Sequence, residues 1–136
     1  MLAGGCFCGR IRYEADAQPF HETICHCSFC RRIVGAASVA WFSVPRSALR
    51  FVSAAPANFR SSAKVVRRFC GHCGTALTFE DEDHPDEVDV TICSLDDPES
   101  VPPKDHTQGA NKLRWLSSCD ALPVYPERRP GKRATA

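Results

Sequence analysis

The sequence predicts a mainly β fold built from small antiparallel sheets with one or two short helical turns. Short segments in which apolar and polar residues alternate dominate the chain, and such alternation places the apolar side chains on one face of a strand. Signals for helices are few, and 10 prolines and 8 glycines interrupt the 136 residues. A chain of this length is typical of one domain with a limited core, which benefits from an additional cross-link.

Five segments are predicted to be strands. In the first, Ile11 and Tyr13 alternate with charged residues, as expected for a strand with one buried face. The segments cover residues 10–14, 38–42, 65–69, 76–79 and 88–92. Their short length favours small sheets packed over one another.

Two short helical turns complete the predicted elements. Ser28 is placed to cap a turn that continues through Val34 and ends at Gly35, because serine favours helix starts and glycine favours helix ends. A second turn is expected at Pro98, since proline suits the first position of a helix.

The formal net charge of +1 conceals strong segregation of charge along the chain. Residues 1–68 hold ten basic side chains against three acidic ones, whereas residues 80–105 hold eleven acidic side chains against one lysine. The acidic run at 80–89 is interpreted as a solvated hairpin and loop. The basic residues are spread over several strands without interleaved aromatic residues, which argues against a nucleic-acid-binding surface.

The apolar segments argue against a membrane protein. The longest uncharged apolar stretch, Ile33 to Pro45, is shorter than the about 20 residues that cross a bilayer. No basic segment followed by an apolar one opens the chain, so we expect no secretory signal and a cytoplasmic location.

The nine cysteines indicate metal binding rather than disulfides. Cysteines one to three residues apart are poor disulfide partners and good ligands for one ion, and a reducing compartment favours that use. The two isolated cysteines, Cys93 and Cys119, are expected to be buried or edge residues without a metal. The other seven form three clusters: Cys6 and Cys8; Cys25, Cys27 and Cys30; Cys70 and Cys73.

Two of these clusters are pairs that together would make a Cys₄ set. Cys70 and Cys73 have the C-x-x-C spacing of a turn that directs two thiolates at one ion. Cys6 and Cys8 are expected to share one face of a strand, because side chains at i and i+2 point the same way. Four thiolates are typical of a closed, structural zinc site, with an iron–sulfur cluster as the alternative.

The remaining cluster offers three thiolates within six residues and no evident fourth partner. Three protein ligands with one open position are typical of catalytic zinc, which can hold a water or a substrate thiolate. The alternative is a second structural site that a fourth protein ligand completes. Candidates for that ligand are His26, His72, His106, Cys93 and Cys119.

The order of these motifs resembles the glutathione-dependent formaldehyde-activating enzyme family, which also contains the centromere protein V-like proteins. The seven-cysteine arrangement is specific for that family, and the resemblance spans nearly the whole chain before its basic end. The matching stretches are residues 4–14, 25–32, 35–36, 60–62, 68–75, 94–98, 115 and 120–123.

The resemblance implies an Mss4-like β-tent fold stapled by zinc. We expect a single zinc-binding β domain over residues 1–126 and a basic, disordered tail over residues 127–136. Two zinc sites are implied. Their ligands are Cys6, Cys8, Cys70 and Cys73 for the structural ion, and Cys25, Cys27 and Cys30 for the second, open and catalytic one.

The resemblance also implies an activity, that of a carbon–sulfur lyase of the S-(hydroxymethyl)glutathione synthase type. Such an enzyme condenses glutathione, or a related thiol, with formaldehyde, so its partners are a small thiol and an aldehyde. The glutathione sulfur would approach the open zinc as a thiolate and attack the carbonyl carbon. The alternative is a non-catalytic zinc-binding module for a protein or nucleic-acid partner, which would not need an open three-cysteine site.

Overall fold

The computed structural model describes residues 1–131 and confirms the mainly β fold, with ten strands in two sheets and one α-helix within that range. The strands are β1 Leu2–Gly5, β2 Arg12–Ala15, β3 Phe20–Cys25, β4 Val39–Pro45, β5 Leu49–Phe51, β6 Ala57–Arg60, β7 Val65–Phe69, β8 Ala76–Asp81, β9 Glu87–Thr91 and β10 Asp105–Thr107. Helix α1 covers Ser28–Val34. Residues 132–136, the end of the predicted tail, lie outside the described residues, and the boundary at residue 126 stays a prediction.

The two sheets differ in size. The smaller has the order β1-β2-β5, and the larger has the order β10-β3-β4-β9-β8-β7-β6. Neighbouring strands are antiparallel, except that β10 runs parallel to β3. The larger sheet has seven strands, whereas the sequence predicted small sheets. The sequence analysis missed β3, β6 and β10 because these strands lack a clear alternation of polar and apolar residues.

The main core lies between the two sheets. Tyr13 and Ala15 of β2, both fully buried, belong to the same apolar cluster as Phe42 and Val90 of the larger sheet. The Tyr13 hydroxyl lies 2.8 Å from the Ser94 hydroxyl, so its polar atom is hydrogen-bonded inside the core. This packing covers one face of the seven-stranded sheet.

The opposite face of that sheet, here called the helix face, lies under α1. Directly opposed residues on neighbouring strands share a face, and the register makes one row of them across five strands. The row is Phe59, Arg67, Phe79, Asp89 and Ser43. A second apolar cluster on this face contains Cys25, Cys30 and Trp41.

The helical turns lie where they were expected, with one difference in capping. Cys27 rather than Ser28 precedes the first residue of α1, and no side chain caps that end. Gly35 ends the helix with φ of 70°, and its N–H donates to the carbonyl of Arg31 at 2.7 Å. Pro98 begins a 3₁₀ turn over Pro98–Ser100.

The acidic run forms the predicted hairpin of β8 and β9. Glu80 differs from the expected solvated residues because it is buried and paired with Arg46 and Arg68. The turn that joins the two strands, residues 82–86, is exposed. Within residues 1–131, no helix is long and apolar enough to span a membrane.

Candidate functional site

Two similar turns bring four cysteines together. In the first, the N–H of Cys6 donates to the carbonyl of Ile11 at 3.0 Å, and Gly9 adopts φ of 77°. In the second, the N–H of Cys70 donates to the carbonyl of Thr75 at 2.9 Å. The prediction that Cys6 and Cys8 share a strand face is therefore wrong, since β1 ends before them and the left-handed glycine folds the chain into a turn.

The sulfur atoms of these turns have the spacing of a tetrahedral site. The sulfurs of Cys6, Cys8, Cys70 and Cys73 all lie within 4.8 Å of one another. Cys8 lies 3.5 Å from Cys6 and 3.8 Å from Cys70, measured between sulfurs. Tetrahedral zinc–thiolate bonds of about 2.3 Å require sulfur separations of about 3.8 Å. The four residues therefore fit a zinc ion.

Hydrogen bonds and burial shift the pKa values of these thiols in opposite directions. The hydroxyl and N–H of Thr75 lower the pKa of Cys73 to about 5, since both stabilise its thiolate. At Cys8 the N–H of Arg10 favours the thiolate, but desolvation and the neighbouring Cys6 outweigh it and raise the pKa to about 11. A divalent cation among the sulfurs would offset the repulsion between neighbouring thiolates, and all four cysteines would then lose their protons.

The second cysteine cluster lies where β3 passes into α1. Cys25 ends β3 and is buried, Cys30 lies in the first turn of α1 and is buried, and Cys27 between them is partly exposed. Among residues 1–131, only the four-cysteine group brings three or more possible ligand atoms within 4.8 Å of one another. A zinc site at Cys25, Cys27 and Cys30 therefore stays a prediction, supported by its donor set of three thiols.

Cys25 and Cys30 interact as a pair. The Cys30 thiol donates toward the Cys25 sulfur, which lowers the pKa of Cys25 to about 6, with support from the N–H of Cys27. The same interaction, together with burial, raises the pKa of Cys30. The opposite directions of the two pKa shifts mean that Cys25 and Cys30 titrate as a coupled pair.

Arg67 is a site residue that the sequence analysis did not single out. Its side chain is only 6% exposed, and its two Nη atoms lie 3.5 and 3.6 Å from the Cys30 sulfur. Its Nε donates to the Ser61 hydroxyl at 3.0 Å, and the guanidinium carbon lies 4.8 Å from the centre of the Phe79 ring. The sequence held one signal for this residue: Arg67 is the central residue of the predicted strand 65–69, where a charged side chain on the buried face is unusual.

The candidate fourth ligands are dispersed. His26 is buried, and its Nε2 lies 2.9 Å from the Nδ1 of His106 on β10, so the two rings partner each other. Cys93 is exposed, contrary to the expected burial, because a 3₁₀ turn follows β9 and takes it out of the sheet. Cys119 donates to the carbonyl of Trp115 at 3.4 Å, and His72 is exposed in the second cysteine turn.

Two cavities flank the second cysteine cluster on the helix face. A cavity of about 330 Å³ is lined mainly by polar and charged residues and includes Thr107, which opposes Cys25 in the pairing of β10 with β3. A cavity of about 410 Å³ is largely apolar and lies between α1 and strands β6 to β8. Its lining includes Arg67, so it borders the residue that contacts Cys30. Residues next to the cluster thus line both cavities, Thr107 the first and Arg67 the second.

The fold and the four-cysteine group define a mainly β protein with a closed thiolate site suited to a structural metal. Residues 1–109 match the family model described as glutathione-dependent formaldehyde-activating enzyme, and the chain belongs to this family. A crystal structure of a Rhodobacter sphaeroides protein has the same fold, with a TM-score of 0.64, 24% identity, and coverage of 77% of this chain and 99% of that one. No curated protein matches the chain.

Proposed function

We propose that this protein is a carbon–sulfur lyase that joins glutathione, or a related thiol, to formaldehyde and releases it again. Membership in the family supports glutathione-dependent formaldehyde activation. The observation that carries the proposal is the buried pair of Cys25 and Cys30, separate from the four-cysteine group and in contact with Arg67. Arg67 places a positive charge against one sulfur of this pair, where it can stabilise a thiolate.

The second zinc would be held by Cys25, Cys27 and Cys30. When bound, zinc lowers the pKa of a thiol and makes it a nucleophile at neutral pH. The residues of this chain then supply the surroundings: Cys25 and Cys30 exclude water by their burial, and Arg67 stabilises negative charge on the Cys30 sulfur.

The chemical step is an addition that needs no oxidant or reductant. The thiol sulfur forms a bond to the aldehyde carbon, and the π electron pair of the carbonyl moves onto oxygen. That oxygen takes up a proton, which replaces the one lost by the thiol. The reverse sequence cleaves the carbon–sulfur bond, so one site serves both directions.

Exchange NMR tests this function directly. The interconversion rate of formaldehyde and its glutathione adduct would be measured with and without zinc-loaded protein, because the adduct also forms spontaneously. We expect acceleration by the protein, its loss in Cys27→Ser, and its retention in the control Cys93→Ser, an exposed cysteine outside both clusters.

Two results would contradict the proposal. Acceleration that persists in Cys27→Ser would remove the second cluster from the reaction. Absence of acceleration in protein that holds two zinc ions would instead favour the non-catalytic zinc-binding module.

A further inference from the structure

The apolar cavity between α1 and strands β6 to β8, here called the α1 cavity, is larger than formaldehyde requires. Its volume is about 410 Å³, which lies within the usual range of sites for small organic ligands, about 300–1,000 Å³. Formaldehyde has only two heavy atoms. We propose that the α1 cavity binds the body of an apolar aldehyde, an inference that rests on the proposed lyase function.

The mouth of the α1 cavity carries exposed apolar side chains. Phe59 of β6 is 54% exposed and Ile33 of α1 is 40% exposed, and Phe69 and Ala76 continue the lining. Exposed aromatic and branched side chains around a concavity are typical of a ligand site, because the ligand removes their surface from water. These apolar side chains therefore favour a ligand whose larger part is a hydrocarbon group.

The inner end of the α1 cavity carries a buried guanidinium. Arg67 lines the cavity, and no carboxylate of residues 1–131 pairs with it. Of its five N–H groups, Nε–H donates to Ser61 and one N–H of each Nη faces the Cys30 sulfur. Two N–H groups therefore remain for an acceptor.

The neighbouring sulfur decides which acceptor fits. The two Nη atoms of Arg67 both face the Cys30 sulfur, and its Nε–H donates to Ser61, so the guanidinium has no free pair of parallel N–H groups for the two oxygens of a carboxylate. A carbonyl oxygen needs only one of the remaining N–H groups. It gains negative charge only as the carbon–sulfur bond forms, when hydrogen bonds from a guanidinium stabilise it most.

The position of the α1 cavity allows such a carbonyl to meet the thiol. Val34 lines the cavity and also packs against the cluster that contains Cys25 and Cys30. An aldehyde with its body between Phe59 and Ile33 and its oxygen on Arg67 would therefore present its carbon beside the second cysteine cluster. In the addition, the thiol sulfur bonds to that carbon, the π pair moves to oxygen, and the oxygen takes a proton in place of the one lost by the thiol.

Exchange NMR with two aldehydes tests this inference. The zinc-loaded protein would be given glutathione with formaldehyde or with 3-phenylpropanal, and kcat/KM for each aldehyde divided by the rate constant of its spontaneous addition, because formaldehyde is the more reactive aldehyde. We expect this ratio to favour 3-phenylpropanal by about tenfold or more, since burial of a phenyl-sized apolar group in the cavity stabilises the bound state. Phe59→Asp should remove most of that preference. Val52→Asp is the matched control, because Val52 is 49% exposed, lies outside the cavity, and should leave the preference unchanged.

A binding measurement separates this inference from the proposed function. The unreactive amide 3-phenylpropanamide has the same body and a neutral carbonyl, and we expect it to shift the Arg67 Nε–H resonance in the parent protein and not in Phe59→Asp. Formaldehyde turnover with no preference for 3-phenylpropanal and no amide binding would overturn the inference and leave the proposed function standing. Absence of turnover with both aldehydes would overturn the proposed function and, with it, the assignment of an aldehyde to the α1 cavity.

Discussion

The guanidinium of Arg67 on β7 faces the sulfur of Cys30 on α1 through both of its Nη atoms, at 3.5 and 3.6 Å. The two residues are 37 positions apart in the chain, and both are buried. Phe79, under the guanidinium, fixes its plane. Arg67 is therefore a positioning residue for the second cysteine cluster.

Replacement of Arg67 by lysine should weaken zinc binding at the second cluster while the protein stays folded. Lysine keeps the charge but cannot present two donors in a fixed plane. Loss of a group that orients a metal ligand typically lowers metal affinity about 10–100-fold. Competition with a chromogenic chelator measures this affinity, with the exposed Arg60→Lys as control. An affinity equal to that of the parent protein would show that Arg67 does not act on the metal site.

The two cysteine clusters should respond differently to loss of one ligand. Cys70→Ser removes a buried member of the closed group, so we expect loss of cooperative thermal unfolding, because structural zinc supplies folding free energy. Cys27→Ser removes a partly exposed residue of the second cluster, so we expect a folded protein with one zinc ion instead of two. Melting curves and zinc content test both. If the two variants unfold alike, the division into structural and catalytic sites is wrong.

Gly4 should not tolerate a larger side chain. A Cβ at this position would clash with the carbonyl oxygen of Ser94 and with the hydroxyl of Tyr13. Gly4→Ala should therefore lower the free energy of unfolding by about 1–3 kcal/mol, as overpacking in a rigid core does. Urea denaturation measures the change. Gly109→Ala, where an added Cβ meets no atom within 4 Å, is the control, and equal stability of the two variants would refute the close packing.

Asp89 should make the stability of the protein depend on pH. Burial raises the pKa of Asp89, although Ser43 donates a hydrogen bond to it at 2.6 Å and His21 and His84 oppose the effect of Glu87. The folded state therefore keeps the proton at pH values where the unfolded chain has lost it, so this group's contribution falls as pH rises from 3.8 to the higher folded pKa.

The variant Asp89→Asn, which resembles the protonated acid, tests this pH dependence. It should melt a few degrees higher than the parent protein at neutral pH and at the same temperature near pH ~3, where both states of the parent hold the proton. Thermal melting at the two pH values measures the difference. A lower melting temperature for the variant at neutral pH would show that the Asp89 carboxylate stabilises the fold.

Several local features follow from short stretches of sequence. Helix α1 ends at Gly35 because only glycine readily adopts the left-handed conformation there, and the residues that decide this lie within one turn. The C-x-x-C spacing of Cys70 and Cys73 likewise determines a turn that gathers two sulfurs. The strands β1, β3, β5, β6 and β10 were not predictable in this way, because their pairing, rather than their own alternation, determines them.

The sequence by itself determined the mainly β class, the α1 turn, the acidic hairpin and the family, because these depend on local conformational preference and on motifs whose residues are close in the chain. Only the tertiary structure decided that Cys8 meets Cys70, 62 positions away, and that Arg67 turns its guanidinium toward Cys30. Strand register controls such contacts, since a slip of one residue would move Arg67 to the other face of its sheet. The sequence showed the second cysteine cluster as three closely spaced thiols. Its contact with Arg67 and the two neighbouring cavities form only when the chain folds.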